Sequence, residues 1–117
     1  MQTSQTIKEQ QRAYAERLLT ALGKQLAKRN ITPVLVISED GRPALDVPDV
    51  RHRTRRVFVH LPFCWFYWGD QHDERVSFLQ MAGAVDRIAW AAREGWREGE
   101  QGDLRIDLDK ILDAHRG

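Results

Sequence analysis

His60, Cys64, Asp70, His72 and Asp73 gather nitrogen, sulfur and oxygen donors within fourteen residues, and these are the atom types that hold zinc. Structural zinc sites pair their ligands at spacings such as C-x₂-C or H-x₃-H, and a single cysteine among scattered histidines does not reproduce that pattern. The favoured reading is therefore a histidine packed into a sheet and a solvated 70–74 loop, with no metal and no cofactor. Cys64, a histidine and an aspartate are also the types of a nucleophile, a base and the acid that orients it. No glycine-rich oxyanion loop accompanies them, so a cysteine packed beside aromatic rings is expected and catalysis is not. Neither G-x-x-x-x-G-K-[ST] nor G-x-G-x-x-G occurs, which removes the common phosphate-binding loops.

Arg51, Arg53, Arg55 and Arg56 alternate with His52 and Thr54 just ahead of an aromatic stretch. Cationic side chains beside stacking surfaces are what single-stranded nucleic acid needs. The competing reading is a solvated loop that compensates Asp40, Asp46 and Asp49, and a net charge of only +1 favours it over a dedicated nucleic-acid binder. Arginine also suits carboxylate recognition, so Arg51, Arg53 and Arg55 are expected to meet an acidic partner segment, with Arg53 and Arg55 serving an acidic protein or phosphate surface and replaceable with little loss of stability.

These residues surround the stretch Arg56 to Trp68, which holds six of the ten aromatic side chains. Its β-branched and aromatic residues suit two strands interrupted at Leu61-Pro62-Phe63-Cys64. Alternation along a strand sends Trp65 and Tyr67 to one face and Phe66 and Trp68 to the other, so both faces need cover. Ahead of it, apolar residues from Ile7 to Leu26 recur at three- and four-residue steps, predicting a one-sided helix that Asn30 and Pro33 bring to an end. Val34 to Ile37 and Pro43 to Val47 read as an antiparallel pair joined through Asp40-Gly41. After the aromatic strands, Ser77 or a nearby Asp is expected to cap a second helix whose stripe is Phe78, Met81, Val85, Ile88 and Ala92. Trp90 is expected to flank the core, and Arg93 to Gly102 to form a flexible joint.

The fold class that results is α+β: an antiparallel sheet of three to four strands with a helix at each end of the chain, both on one face. Residues 1–98 form that domain, and residues 99–117 are a linker and a short amphipathic segment. Leu104, Leu108, Ile111 and Leu112 make an apolar stripe there that is expected to dock on a folded surface in cis or in trans. A chain that is 42% hydrophobic and 30% charged, with no apolar run near the roughly 20 residues of a spanning helix, points to a soluble protein without a membrane partner. A start without a signal-peptide pattern, and a lone cysteine, point to the cytoplasm.

The order helix, strand pair, aromatic strand pair, helix resembles a group of small, functionally uncharacterised actinobacterial proteins. Leu18, Leu22 and Leu26, the run Gly41 to Val47, Trp65 to Trp68 and Val85 to Ala89 carry the resemblance. It implies an α-β-β-β-α or four-stranded fold and a role accessory to a helix-turn-helix regulator. The function expected is a non-catalytic protein-interaction module, a homodimer, that uses Arg51, Arg53, Arg55, Trp65, Tyr67, Trp68 and the C-terminal stripe. A nucleic-acid-associated domain, or a small-molecule sensor with an aromatic pocket, is the alternative.

Overall fold

The computed structural model describes residues 3–97. A helix, α1 (Thr3–Ala27), precedes five strands, β1 (Val34–Ile37), β2 (Pro43–Pro48), β3 (Thr54–His60), β4 (Trp65–Tyr67) and β5 (Arg75–Ser77), and α2 (Met81–Glu94) follows them. Each strand pairs antiparallel with its neighbour in sequence, so the sheet is a simple meander with β1 and β5 at its edges. This is the α+β arrangement the sequence predicts, with a fifth strand added. Ser77 closes β5 instead of capping α2, and its hydroxyl accepts from the Leu79 N–H. A single Val76 between Arg75 and Ser77 is too short a run to display the alternation that marks a strand.

α1 ends as its sequence dictates. Asn30 adopts φ 65°, its N–H donates to Ala27 O, and the Ile31 N–H donates to Leu26 O, which together make a Schellman motif. The motif turns Ile31 back onto the core beside Leu26. Leu19, Leu22 and Leu26 are fully buried and meet Leu45, Val47, Val57, Phe66 and Trp68 from one face of the sheet and Ala84, Val85, Ile88 and Ala89 from α2. Both helices therefore cover the same face. The other face carries a smaller cluster of Ala44, Phe58 and Tyr67, with Val36 packed against it.

The chain after α2 is not a joint. Gly95, at φ 99°, donates its N–H to Ala91 O and turns the chain so that Trp96 enters the core at 5% exposure. The Trp96 indole N–H donates to Val47 O at 3.0 Å, and its ring lies 6.5 Å from that of Trp68. Trp90, expected to flank the core, is instead 55% exposed, with the Arg87 guanidinium over its ring. Among the described residues no helix is long and apolar enough to cross a membrane.

Candidate interaction surface

The aromatic and C-terminal residues expected to bind a partner divide into three groups once placed. Trp65 and Tyr67 stand on the face that α1 and α2 leave uncovered, beside Phe58 and His60. Trp68 points the opposite way, 2% exposed under α2, so it belongs to the core and is not part of a binding surface. Leu104, Leu108, Ile111 and Leu112 lie outside the described residues.

Arg51, Arg53 and Arg55 do not form one loop. Arg51 is exposed in the β2–β3 turn, and its N–H donates to the Asp49 carboxylate at 2.9 Å. Arg53 donates to that carboxylate from its backbone at 2.8 Å and from Nε at 3.1 Å, and its Nη2 reaches Trp96 O. Arg55 is in β3 on the helix-covered side, 8% exposed; its guanidinium meets Glu74 at 3.5 Å and donates to Arg97 O at 2.8 Å. Arg56 faces the other way and pairs with Asp46 at 2.8 Å, which raises its pKa. The expectation that Arg53 and Arg55 are dispensable to the fold is thus reversed: both tie β3 to the chain that leaves α2. A run whose guanidinium groups reach Asp49, Glu74 and Asp46 does not present a row of cations to phosphates.

Asp49 is the centre of this tie. Its side chain is fully buried and accepts from the N–H groups of Arg51, Arg53 and Trp96, the last at 2.9 Å. Burial opposes its ionisation and is the largest single influence, but those N–H groups and the Arg53 guanidinium together hold its carboxyl below the ordinary range. Glu74 is built in as tightly. Gly69 lies so close that a Cβ there would occupy the place of the Glu74 carboxylate. Gly69→Ala should therefore push Glu74 off Arg55 and lower stability by about 1–3 kcal/mol, read as an earlier urea midpoint at unchanged slope.

On the uncovered face, aromatic rings and arginines alternate. Phe58 and Tyr67 stack at 5.6 Å, the Arg42 guanidinium sits 4.2 Å above the Phe58 ring, and Arg42 donates to the Tyr67 hydroxyl at 2.8 Å. Arg42 is held in turn by Asp40, which the Ser38 hydroxyl, ahead of Arg42 itself, brings to a pKa of about 2. Further along, His60 and Phe63 stack at 5.0 Å and Phe63 and Trp65 at 5.1 Å, while Arg75 lies 4.2 Å over Trp65. Burial draws the His60 imidazole below its usual pKa, and its Nδ1 accepts the Phe63 N–H at 3.2 Å. The rings fill one another's faces, and what remains at this end is an open groove of about 450 Å³ between Gln11, Arg42, His60, Pro62 and Tyr67. Among the described residues no three His, Cys, Asp or Glu side chains come within reach of one metal ion.

Sequence reasoning also missed the edge. Among the described residues β1 pairs only with β2, and no other strand lies along its outer side. Val34, Leu35 and Ile37 are 59%, 44% and 58% exposed. The signal was present in the run Val-Leu-Val-Ile, but it is shared with any buried strand, so composition alone does not tell edge from centre. The chain matches no family model, no curated protein and no solved structure.

Proposed function

We propose that this chain is a cytoplasmic, non-catalytic protein-interaction module that self-associates by pairing β1 with β1 of a second copy. The observation that carries this reading is the β1 edge: three exposed aliphatic side chains on a strand whose outward N–H and C=O groups meet no other described strand. Natural sheets blunt their edges with lysine, proline or a covering segment, because a flat apolar edge recruits another strand. β1 carries none of those residues.

Geometry narrows the pairing. Directly opposed residues of an antiparallel ladder point to the same face, so a two-fold pairing must place residues of equal parity across from each other. Leu35 and Ile37 are the two exposed β1 residues on the helix-covered side, as the pairing of Leu35 with Leu45 and of Ile37 with Pro43 shows. Setting Leu35 opposite Ile37 of the other copy places Val36 opposite its own counterpart. That register brings the exposed aliphatic side chains of the two copies together and extends the sheet continuously.

The double replacement Leu35→Lys, Ile37→Lys puts like charges across that junction. Both positions are at least two-fifths exposed, so the folded monomer should persist, with a melting transition and far-ultraviolet spectrum close to the parent's. Sedimentation at micromolar concentration should show the parent as a dimer and the variant as a monomer. A parent that sediments as a monomer across that range would remove this reading.

A further inference from the structure

Trp90 is 55% exposed near the middle of α2, whereas Trp68 and Trp96 are buried. The Arg87 guanidinium lies 5.1 Å from the centroid of its ring and 5.7 Å from that of Trp68, and Nη2 donates to Asp73 O at 2.5 Å. The indole is thus backed by a fixed cation and still open to solvent. Gly83 stands two turns earlier, almost in line with it, and a Cβ there would meet no atom within 4 Å. No described residue obstructs a helix laid along this face.

The charges around Trp90 follow a pattern. At about 100° per residue, Asp86 and Arg93 fall about 40–60° to one side of it, and Arg87 and Glu94 fall as far to the other. Along the helix one flank therefore reads acid then base, and the other base then acid. Such a face is its own complement. Against a copy running antiparallel, Trp90 meets Trp90, Asp86 meets Arg93 and Arg87 meets Glu94; against a copy running parallel, Asp86 meets Arg87 and Arg93 meets Glu94 instead. The Asp86 carboxylate remains 65% exposed although it pairs with Arg29 at 2.5 Å, and among the described residues Arg93 and Glu94 enter no ion pair. Two cations alternating with two anions repel a polyanion as much as they attract it, which argues against nucleic acid as the occupant.

We propose that the outer face of α2 is a second two-fold contact between copies of this chain, with Trp90 packed on Trp90 at the axis and the four charges paired around it. The indoles supply the affinity, since tryptophan and arginine are the residues that most often carry it in interfaces. Exposed ion pairs add little each, and here they select the partner. α2 is about 21 Å long, and one face of such a helix falls short of the roughly 1,200 Å² of a stable complex, so the contact is weak, with a Kd on the order of 100 µM. It lies on the helical layer, away from the β1 edge, and does not depend on the self-association argued above. Where both contacts form, β1 pairs are joined into larger assemblies.

Sedimentation equilibrium from about 10 µM to about 1 mM tests this in the full-length Leu35→Lys, Ile37→Lys variant, whose β1 junction is disabled. That protein should pass from monomer to dimer over the range. Adding Trp90→Ala should weaken the association by about tenfold or more with the far-ultraviolet spectrum unchanged, because the indole is largely outside the core. Asp86→Lys with Glu94→Lys makes the flanks wholly cationic, and Arg87→Glu with Arg93→Glu makes them wholly anionic. Each of these alone should stay monomeric at about 1 mM, whereas an equimolar mixture should pair at least as tightly as the starting protein. A starting protein that stays monomeric at about 1 mM leaves the face to another protein and overturns the proposal. An association that Trp90→Ala and the charge variants leave unchanged overturns it too, since the contact would then lie elsewhere. All of these outcomes are read without the β1 junction, so they hold whether or not the parent pairs through β1.

Discussion

Replacing Asp49 by Ala should be among the most damaging single changes the chain can suffer, lowering stability by about 2–4 kcal/mol. One part is the loss of a side-chain acceptor for the turn N–H groups of Arg51 and Arg53, worth about 1 kcal/mol by analogy with helix caps. The larger part is the Trp96 N–H, which would be left buried with no acceptor, at about 1–3 kcal/mol. Asp49→Asn keeps one acceptor oxygen and should fall between. The acid dependence has a definite sign. A carboxyl held below its unfolded value of 3.8 contributes its full stability above that pH and loses it as pH falls through the folded value. The gap between parent and Asp49→Asn in urea denaturation should accordingly be constant near neutrality and narrow below about pH 4. A gap that persists unchanged at pH 2.5 would mean that charge at Asp49 is not what holds the turn.

Arg55→Ala should cost about 2–4 kcal/mol, because it takes from the Glu74 carboxylate, 7% exposed, its buried partner and leaves only the exposed Arg97 guanidinium at 3.7 Å. It also removes the donor to Arg97 O. The pair itself is not required for a stable fold, since buried ion pairs are frequently matched by apolar replacements of similar volume. Arg55→Met with Glu74→Leu should therefore recover most of the loss that Arg55→Ala incurs. Thermal and urea melts of the three proteins decide the matter. A single Arg55→Ala that melts like the parent would return Arg55 to the class of replaceable surface arginines.

What the sequence revealed and what it hid follow from the distance over which each signal acts. α1 and its end were legible because Leu19, Leu22, Leu26 and Asn30 speak through neighbours three to five residues away. The β3–β4 pair and the opposite facing of Tyr67 and Trp68 were legible because alternation is local. Arg53 and Arg55 read as a solvated run because their partners, Trp96 and Arg97, lie 43 and 42 residues further along. Trp96 reads as part of a joint because Gly95 breaks the helical period, and nothing local says that the break folds back into the core. Alternation puts Trp65 and Tyr67 on one face, opposite Phe66 and Trp68, as the structure has them. Trp68 reads as part of a partner surface because the alternation separates two faces without saying which one α1 and α2 will cover.

The strand order β1 to β5 also bears on how the chain is made. A meander closes each hairpin as soon as its second strand exists, so the sheet can assemble in the order of synthesis with short-range contacts that form quickly. The Asp49 carboxylate, in contrast, waits. It can gather the N–H groups of Arg51 and Arg53 within its own turn at once, but its bond to Trp96 spans 47 residues and needs α2 complete. Until then the sheet face bearing Val47, Phe66 and Trp68 lacks α2 and Trp96, with only α1 available to cover it. A nascent chain in which the strands up to Ser77 have emerged and α2 has not would therefore stand as a formed sheet with half its helical layer, the stage at which a chaperone or a neighbouring copy would find most to bind.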